Sequence, residues 1–187
     1  IFGPLKISGG ATINVISNGN GCYFNGHPLV NRTTASCNIG ISWSDGGRIR
    51  VGPREHKHGI LKLRSKNVSS GFHVVLAVNL EKYLYGLAEM PSHWNVKALE
   101  AQALVGRSYA VFQYLKQNKP SEKNDIDAGL SSTRKDYCWC HIGSTASSQY
   151  YYGYVKEIAG PKWVQAVNNS SGKVITYDGG YSQSSLV

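Results

Sequence analysis

NLEKYLYGLAEMPSHWNVKALEAQALVGRSYAVFQY, residues Asn79 to Tyr114, decides how this chain folds. Its first piece is short and amphipathic. Asn79 offers a side-chain oxygen to the free N–H groups of a first helical turn, and Glu81 puts a carboxylate at the positive end of that helix. A break follows at Glu89-Met90-Pro91, because Pro91 has no N–H and pushes Met90 towards an extended backbone. Glu89 is thereby set at a corner. Beyond it Asn95 caps a second helix, read as Val96 to about Lys116. Ala98, Ala101, Gln102, Val105, Ser108, Tyr109 and Phe112 recur at three- and four-residue steps along one face. Leu99, Ala103, Gly106, Ala110 and Tyr114 do so along the next. With so few polar positions, the helix is expected to be buried at the centre of the fold. Gln102 and Arg107 then need hydrogen-bond partners inside it. A core helix that merely carries these two groups is the plain alternative to a functional one.

Four motifs in this stretch keep a definite order and spacing: LEKYLYG from Leu80 to Gly86, Glu89-Met90-Pro91, KALEAQA from Lys97 to Ala103, and Arg107-Ser108-Tyr109-Ala110. Further along come Gln149-Tyr150 to Gly153, Trp163 with Ala166-Val167, and then Gly172, Val174, Tyr177 and Gly179. Together they resemble the SpoIID/LytB domain of bacterial cell-wall proteins over roughly residues 59–181. The resemblance implies a lytic transglycosylase acting on peptidoglycan, with Glu89 in the position of the family's catalytic acid. It also implies an alternative associated with the LytB branch, a non-catalytic wall-binding module that enhances a separate amidase. Relatives usually continue beyond Tyr181-Ser182-Gln183-Ser184-Ser185, so the family domain is expected to be truncated here.

A chain of 187 residues fits a single domain with a substantial core. It divides into a β-rich part over 1–78, a helical core motif over 79–117, and a loop and C-terminal β part over 118–187. The 41% hydrophobic and 17% charged residues exclude disorder as a global property. No apolar run approaches a membrane span. The sequence opens at Ile1, which is read as the start of a processed or excised fragment whose export signal has been removed. An extracytoplasmic location follows from that reading and from the resemblance. The formal charge of +9 implies attraction to a polyanion. Since the basic residues are scattered singly, nucleic acid is not the expected partner. The carboxylates and phosphates of a bacterial wall suit the charge, and so does a merely solvated basic surface.

The four cysteines form two local pairs. Cys22 and Cys37 are expected to form a disulfide, the usual state in an exported protein, and a loop of this size would contribute about 3 kcal/mol. Cys138 and Cys140 are less comfortable as a bridge, because residues two apart in an extended chain lie near the upper separation a disulfide tolerates. With His141 they supply up to three zinc ligands, and His93 is a candidate fourth, although the spacing is tighter than a CxxC knuckle. Some relatives bind zinc near this region. A structural zinc, a strained disulfide and two free buried thiols all stay open. No cofactor is required by the chemistry.

The first 80 residues read as strands broken by glycine and asparagine turns, a β-rich platform. Ala11 to Ile16, with apolar residues at 11, 13 and 15, Cys22 to Phe24, Ile39 to Trp43, Arg48 to Val51, Ile60 to Arg64 and Phe72 to Val78 are the strand candidates. Asp45-Gly46-Gly47 predicts a hairpin between the third and fourth of these. His56 and His58 have no evident third ligand and read as a solvated turn. Gln117 to Asp127 is a polar surface loop. The fold class expected is α+β: a largely antiparallel platform, a buried central helix and a short C-terminal β segment, read as a strand from Lys173 to Tyr177 followed by a tight turn at Asp178-Gly179-Gly180.

Tyr150, Tyr151 and Tyr152 follow Gln149 in a loop or strand. Tyrosine faces stack on sugar rings while their hydroxyls bond the substituents, but such rings pack in cores more often than they bind ligands. Ordinary glycosidases use two carboxylates at a set separation. No second acid here stands in as distinctive a setting as Glu89, since Glu81 and Glu100 lie on helices where capping or ion pairing explains them. The reading is therefore one acid that also returns as base, helped by the sugar's acetamido group. Its pKa would be raised by burial against Met90, Pro91 and Trp94. Trp94, Gln102, Arg107, Tyr109, Gln149, Tyr150 and Tyr151 are the expected substrate-binding or positioning residues, with peptidoglycan glycan strands as the partner.

Overall fold

A computed structural model of the chain describes residues 10–18, 21–24, 27–30, 38–44, 46–64, 71–117, 130 and 138–181. The residues gather into two compact units, one of 1–47 with 60–77 and the other of 48–59 with 78–187. The architecture is α+β, and the strand pairings among the described residues are antiparallel.

In the first unit β1 (Val15–Asn18), β2 (Gly21–Phe24) and β3 (His27–Val30) form a meander. A second sheet has the order β4-β7-β8, from β4 (Asn38–Ile41), β7 (Ile60–Arg64) and β8 (His73–Ala77). Side chains alternate across a strand, so Leu61 and Leu63 of the central β7 are buried while Ile60 is exposed. Cys22 is buried in β2, and Cys37 lies outside the described residues, as does most of the 117–127 loop. Among the described residues, the strands on either side of Asp45-Gly46-Gly47 do not pair with each other as the expected hairpin requires. β4 pairs with β7 instead, and β5 (Ile49–Val51) turns through Gly52-Pro53 to pair with β6 (Arg54–His56). Gly52 has φ +56, a left-handed conformation that suits glycine at this tight turn.

The second unit holds that β5–β6 hairpin and the helices. α1 (Leu80–Tyr85) begins as the sequence predicts: Asn79 Oδ1 accepts the Glu81 N–H at 3.0 Å. α2 (Val96–Gln117) is capped in the same manner by Asn95, whose Oδ1 accepts the Lys97 N–H at 2.9 Å. The deeper of its two apolar stripes is Leu99, Ala103, Gly106 and Ala110, and Arg107 and Ser108 are buried beside it. Two further helices, absent from the strand-and-turn reading of this region, are α3 (Tyr154–Ala159) and α4 (Pro161–Asn169). Pro161 takes the first turn of α4, where its missing N–H costs nothing. Trp163, Ala166 and Val167 of α4 are buried, and the Trp163 indole N–H donates to the Leu84 carbonyl at 2.8 Å. A buried tryptophan with a satisfied N–H is a strong anchor between α1 and α4. The chain closes on a short hairpin of β9 (Thr176–Tyr177) and β10 (Gly180–Tyr181) about Asp178-Gly179. No helix among the described residues is long and apolar enough to cross a membrane.

Candidate active site

α1 ends at Gly86, and the chain then runs beside Tyr150-Tyr151-Tyr152. Leu87 and Tyr151 form an antiparallel bridge, Ala88 N–H donates to Tyr150 O at 2.9 Å, and Tyr152 N–H donates to Gly86 O at 2.8 Å. This close approach requires glycine at 86, because a Cβ there would overlap the Tyr151 ring and stand 3.1 Å from Gly153 Cα. Past the bridge the chain turns through Glu89-Met90-Pro91-Ser92, and Trp94 N–H donates back to Pro91 O at 3.2 Å. Glu89 therefore stands where two stretches meet, at the corner the proline predicts.

The Glu89 carboxyl is half-buried. Gln102, on the face of α2 next to the deeper stripe, donates from Nε2 to Glu89 Oε2 at 3.1 Å. Burial raises the Glu89 pKa above the ordinary carboxylate value, while the Gln102 bond and the Tyr150 backbone N–H pull it partly back. Tyr83 lies close by. Its hydroxyl is held far above a phenol's usual pKa, first by burial and then by the Glu89 charge and the Tyr151 and Tyr109 hydroxyls. That hydroxyl donates to Gln149 Oε1 at 3.0 Å, and Gln149, fully buried, passes its amide N–H to Gly106 O at 3.1 Å. The Tyr83 and Tyr151 rings stack at 5.3 Å, and His56 stacks on the other partner, Tyr151, at 6.1 Å. Burial, and after it the Glu157 charge, push the Tyr151 hydroxyl up to about 12 against the opposing pull of Arg54. Tyr109 OH and Ser148 Oγ are 3.4 Å apart.

The expected site residues thus separate by position. Gln102 meets Glu89 directly. Gln149 and Tyr151 are buried and reach Tyr83 by a hydrogen bond and a ring stack, whereas Trp94, Tyr150 and Tyr152 are 44%, 39% and 43% exposed. Arg107, 1% exposed, is bonded inside the unit: Nε and Nη2 donate to the two Glu81 oxygens at 2.9 and 2.8 Å, and other N–H groups reach Val167 O, Ser170 Oγ and Lys173 O. Tyr83, Ser148 and Lys156 are neighbours that the sequence did not single out. Tyr83 sits inside the LEKYLYG motif, but nothing in that motif tells which of its two tyrosines meets Gln149.

The other described glutamates are engaged elsewhere. Glu55 pairs with Arg48 at 3.3 Å, Glu81 with Arg107, Glu100 with Lys97 at 2.8 Å, and Glu157 with His58 at 2.9 Å. His56 and His58 do not form the solvated turn that the sequence suggests. His56 is buried at the end of β6, where burial and then the Arg54 charge lower its pKa, and His58 has its Nε2 2.9 Å from Glu157 Oε2 and its ring edge-on to Tyr85. Among the described residues no three His, Cys, Asp or Glu side chains are grouped as metal ligands. Cys138 and Cys140 are joined by a disulfide with their Cα atoms 5.1 Å apart, made possible by a turn in which Trp139 has φ 52. In this oxidised state neither sulfur is a thiolate, so the pair and His141 do not fit zinc as they stand. The His141 ring lies 5.0 Å from that of Tyr114.

Neither a curated protein nor a solved structure matches the chain. A family model, SpoIID, described as stage II sporulation protein, matches residues 68–177, more than half of the sequence. The matched span holds α1, the Glu89 corner, α2, the Tyr150–Tyr152 segment and both later helices, and the chain belongs to the SpoIID/LytB family.

Proposed function

We propose that this protein is a lytic transglycosylase that cleaves the bond between N-acetylmuramic acid and N-acetylglucosamine in peptidoglycan, with Glu89 as its single catalytic acid and base. One observation carries the reading: the Glu89 carboxyl is half-buried at a corner, oriented by Gln102, and has its pKa raised by burial. Such a carboxyl keeps its proton further up the pH scale and can give it to a glycosidic oxygen. As the bond from the muramoyl C1 breaks, its electrons leave with the glucosamine oxygen, which takes the Glu89 proton. Positive charge builds at C1, eased by the acetamido group. The carboxylate then accepts the proton of the muramoyl C6 hydroxyl as that oxygen bonds to C1. The products are a 1,6-anhydro end and a free glucosamine hydroxyl. Glu89 is protonated again and no water is consumed.

Within this reading Gln102 sets the carboxyl, Tyr83 and Gln149 support the floor, and the exposed rings of Trp94 and Tyr150 stack on sugars. The site of action is the wall, outside the cytoplasm. The same exposed rings would equally serve a glycan-binding module that enhances a separate amidase, which needs no ionisable Glu89. Purified glycan strands, with and without stem peptides, are digested with wild type and with Glu89→Gln, and the products are read by mass. Anhydromuramoyl ends are expected from wild type, with a loss of roughly a hundred- to ten-thousand-fold in the variant. A folded wild type that binds glycan without cutting it overturns the enzyme and leaves the binding module. Zinc at Cys138, Cys140 and His141 belongs to the reduced chain, and elemental analysis of protein purified under reductant tests it.

A further inference from the structure

The corner after Glu89 is tied to α3 by one side chain. Lys156 Nζ donates to the Met90 carbonyl oxygen at 2.8 Å and to Ser92 Oγ at 2.7 Å. These acceptors flank Pro91, which has no N–H with which to hold the turn itself. The ammonium is partly buried, and that burial lowers its pKa. The surroundings leave room for the contact. A Cβ on Gly160, between α3 and α4, would stand 2.7 Å from Ser92 Oγ and 3.0 Å from Lys156 O, so any side chain there would push the Ser92 hydroxyl away.

On its other flank the corner is held by Tyr150–Tyr152, through the bonds to Ala88 and Gly86. α3 begins directly after that segment, at Tyr154. One continuous piece of chain, residues 150–156, therefore grips the corner both before and after Glu89. General acid catalysis tolerates misplacement of only about 0.5 Å, and the Met90 carbonyl belongs to the residue bonded directly to Glu89.

We propose that Lys156 is a positioning residue for Glu89, whose ammonium clamps the Met90 carbonyl and the Ser92 hydroxyl to α3 and so fixes the direction of the carboxyl. The proposal rests on the reading of Glu89 as the acid. It attributes to Lys156 an effect on the chemical step, not on sugar binding.

The test compares wild type, Lys156→Met, Lys156→Arg and Ser92→Ala. Steady-state cleavage of glycan strands is measured together with hydrogen exchange of the backbone amides. Lys156→Met is expected to lower kcat about tenfold or more with KM within about twofold, the signature of an interaction that matters only in the transition state. Exchange at the Trp94 amide, which donates to Pro91 O, should quicken about tenfold or more while the amides of α2 keep their protection. Lys156→Arg should recover most of kcat, and Ser92→Ala should lose less than Lys156→Met. A Lys156→Met protein with wild-type kcat, or with unchanged exchange at Trp94, overturns the proposal. If that variant fails to fold, Ser92→Ala answers in its place, and an unchanged kcat there overturns it too. A wild type that cuts no glycan removes Glu89 as an acid, and exchange alone then judges the clamp.

Discussion

Glu89 makes the sharpest residue-level prediction, because burial sets the direction of its titration. Its folded pKa lies above its unfolded value, so between the two the folded chain binds more protons than the unfolded one. Stability from this group is fully present below the unfolded pKa and is lost as pH rises through the folded pKa. Glu89→Gln cannot ionise. Its melting temperature relative to wild type is expected to climb as pH rises from the ordinary glutamate value of about 4.3 through the raised folded pKa, as seen by calorimetry at a series of pH values. Activity should follow the same proton, with kcat/KM falling on the alkaline side above the ordinary carboxylate range. A variant whose relative stability is flat with pH would mean that the carboxyl is not desolvated. Pro91 made the corner legible in the sequence, yet nothing local told that the Tyr150 N–H and the Gln102 amide would converge on the carboxyl there.

At the scale of elements, Arg107 joins α1, α2, α4 and the turn after α4 through one guanidinium. Periodicity marked it as a polar group on a largely apolar helix, and the sequence alone left it between substrate binding and a structural tie. Its bonds run to Glu81, Val167, Ser170 and Lys173, which supports the tie. Desolvation acts to raise the Glu81 pKa, but the Arg107 hydrogen bonds and charge, with Gly172 N–H and the Ser171 hydroxyl, bring it below the usual value. Glu81→Gln leaves a buried guanidinium facing a neutral amide. With Arg107 1% and Glu81 25% exposed, the loss is expected to be about 2–4 kcal/mol by denaturant melts at neutral pH. A depressed carboxylate stabilises above its unfolded pKa and ceases to do so as pH falls through its folded pKa, so the deficit should shrink in acid. α3 and α4 escaped the sequence reading because they are short and follow Gly153 and Gly160, residues that also mark loops. The Pro161 start was the available signal.

For the whole molecule the +9 charge predicts attraction to a polyanion, which under the proposed function is the wall. Binding of Glu89→Gln to isolated wall sacculi should fall several-fold between about 0.05 and about 0.5 M salt, since screening shortens the reach of exposed charges to a few ångströms. Binding that ignores salt would place the affinity in sugar stacking instead. The sequence by itself determined the α+β class, the helix, corner and helix order from Leu80 to Gln117, Glu89 at the turn, and the family. Those follow from backbone rules and periodicities that act over a few neighbouring residues. Only the tertiary structure decided that Tyr83 meets Gln149 and that Lys156 meets Met90, each pair 66 residues apart, and that β5 pairs with β6. It also decided which tyrosine of the triplet is buried and that Arg107 faces Glu81. Such contacts depend on which faces of distant segments are brought together in the core, and a local pattern carries no record of the partner it will meet.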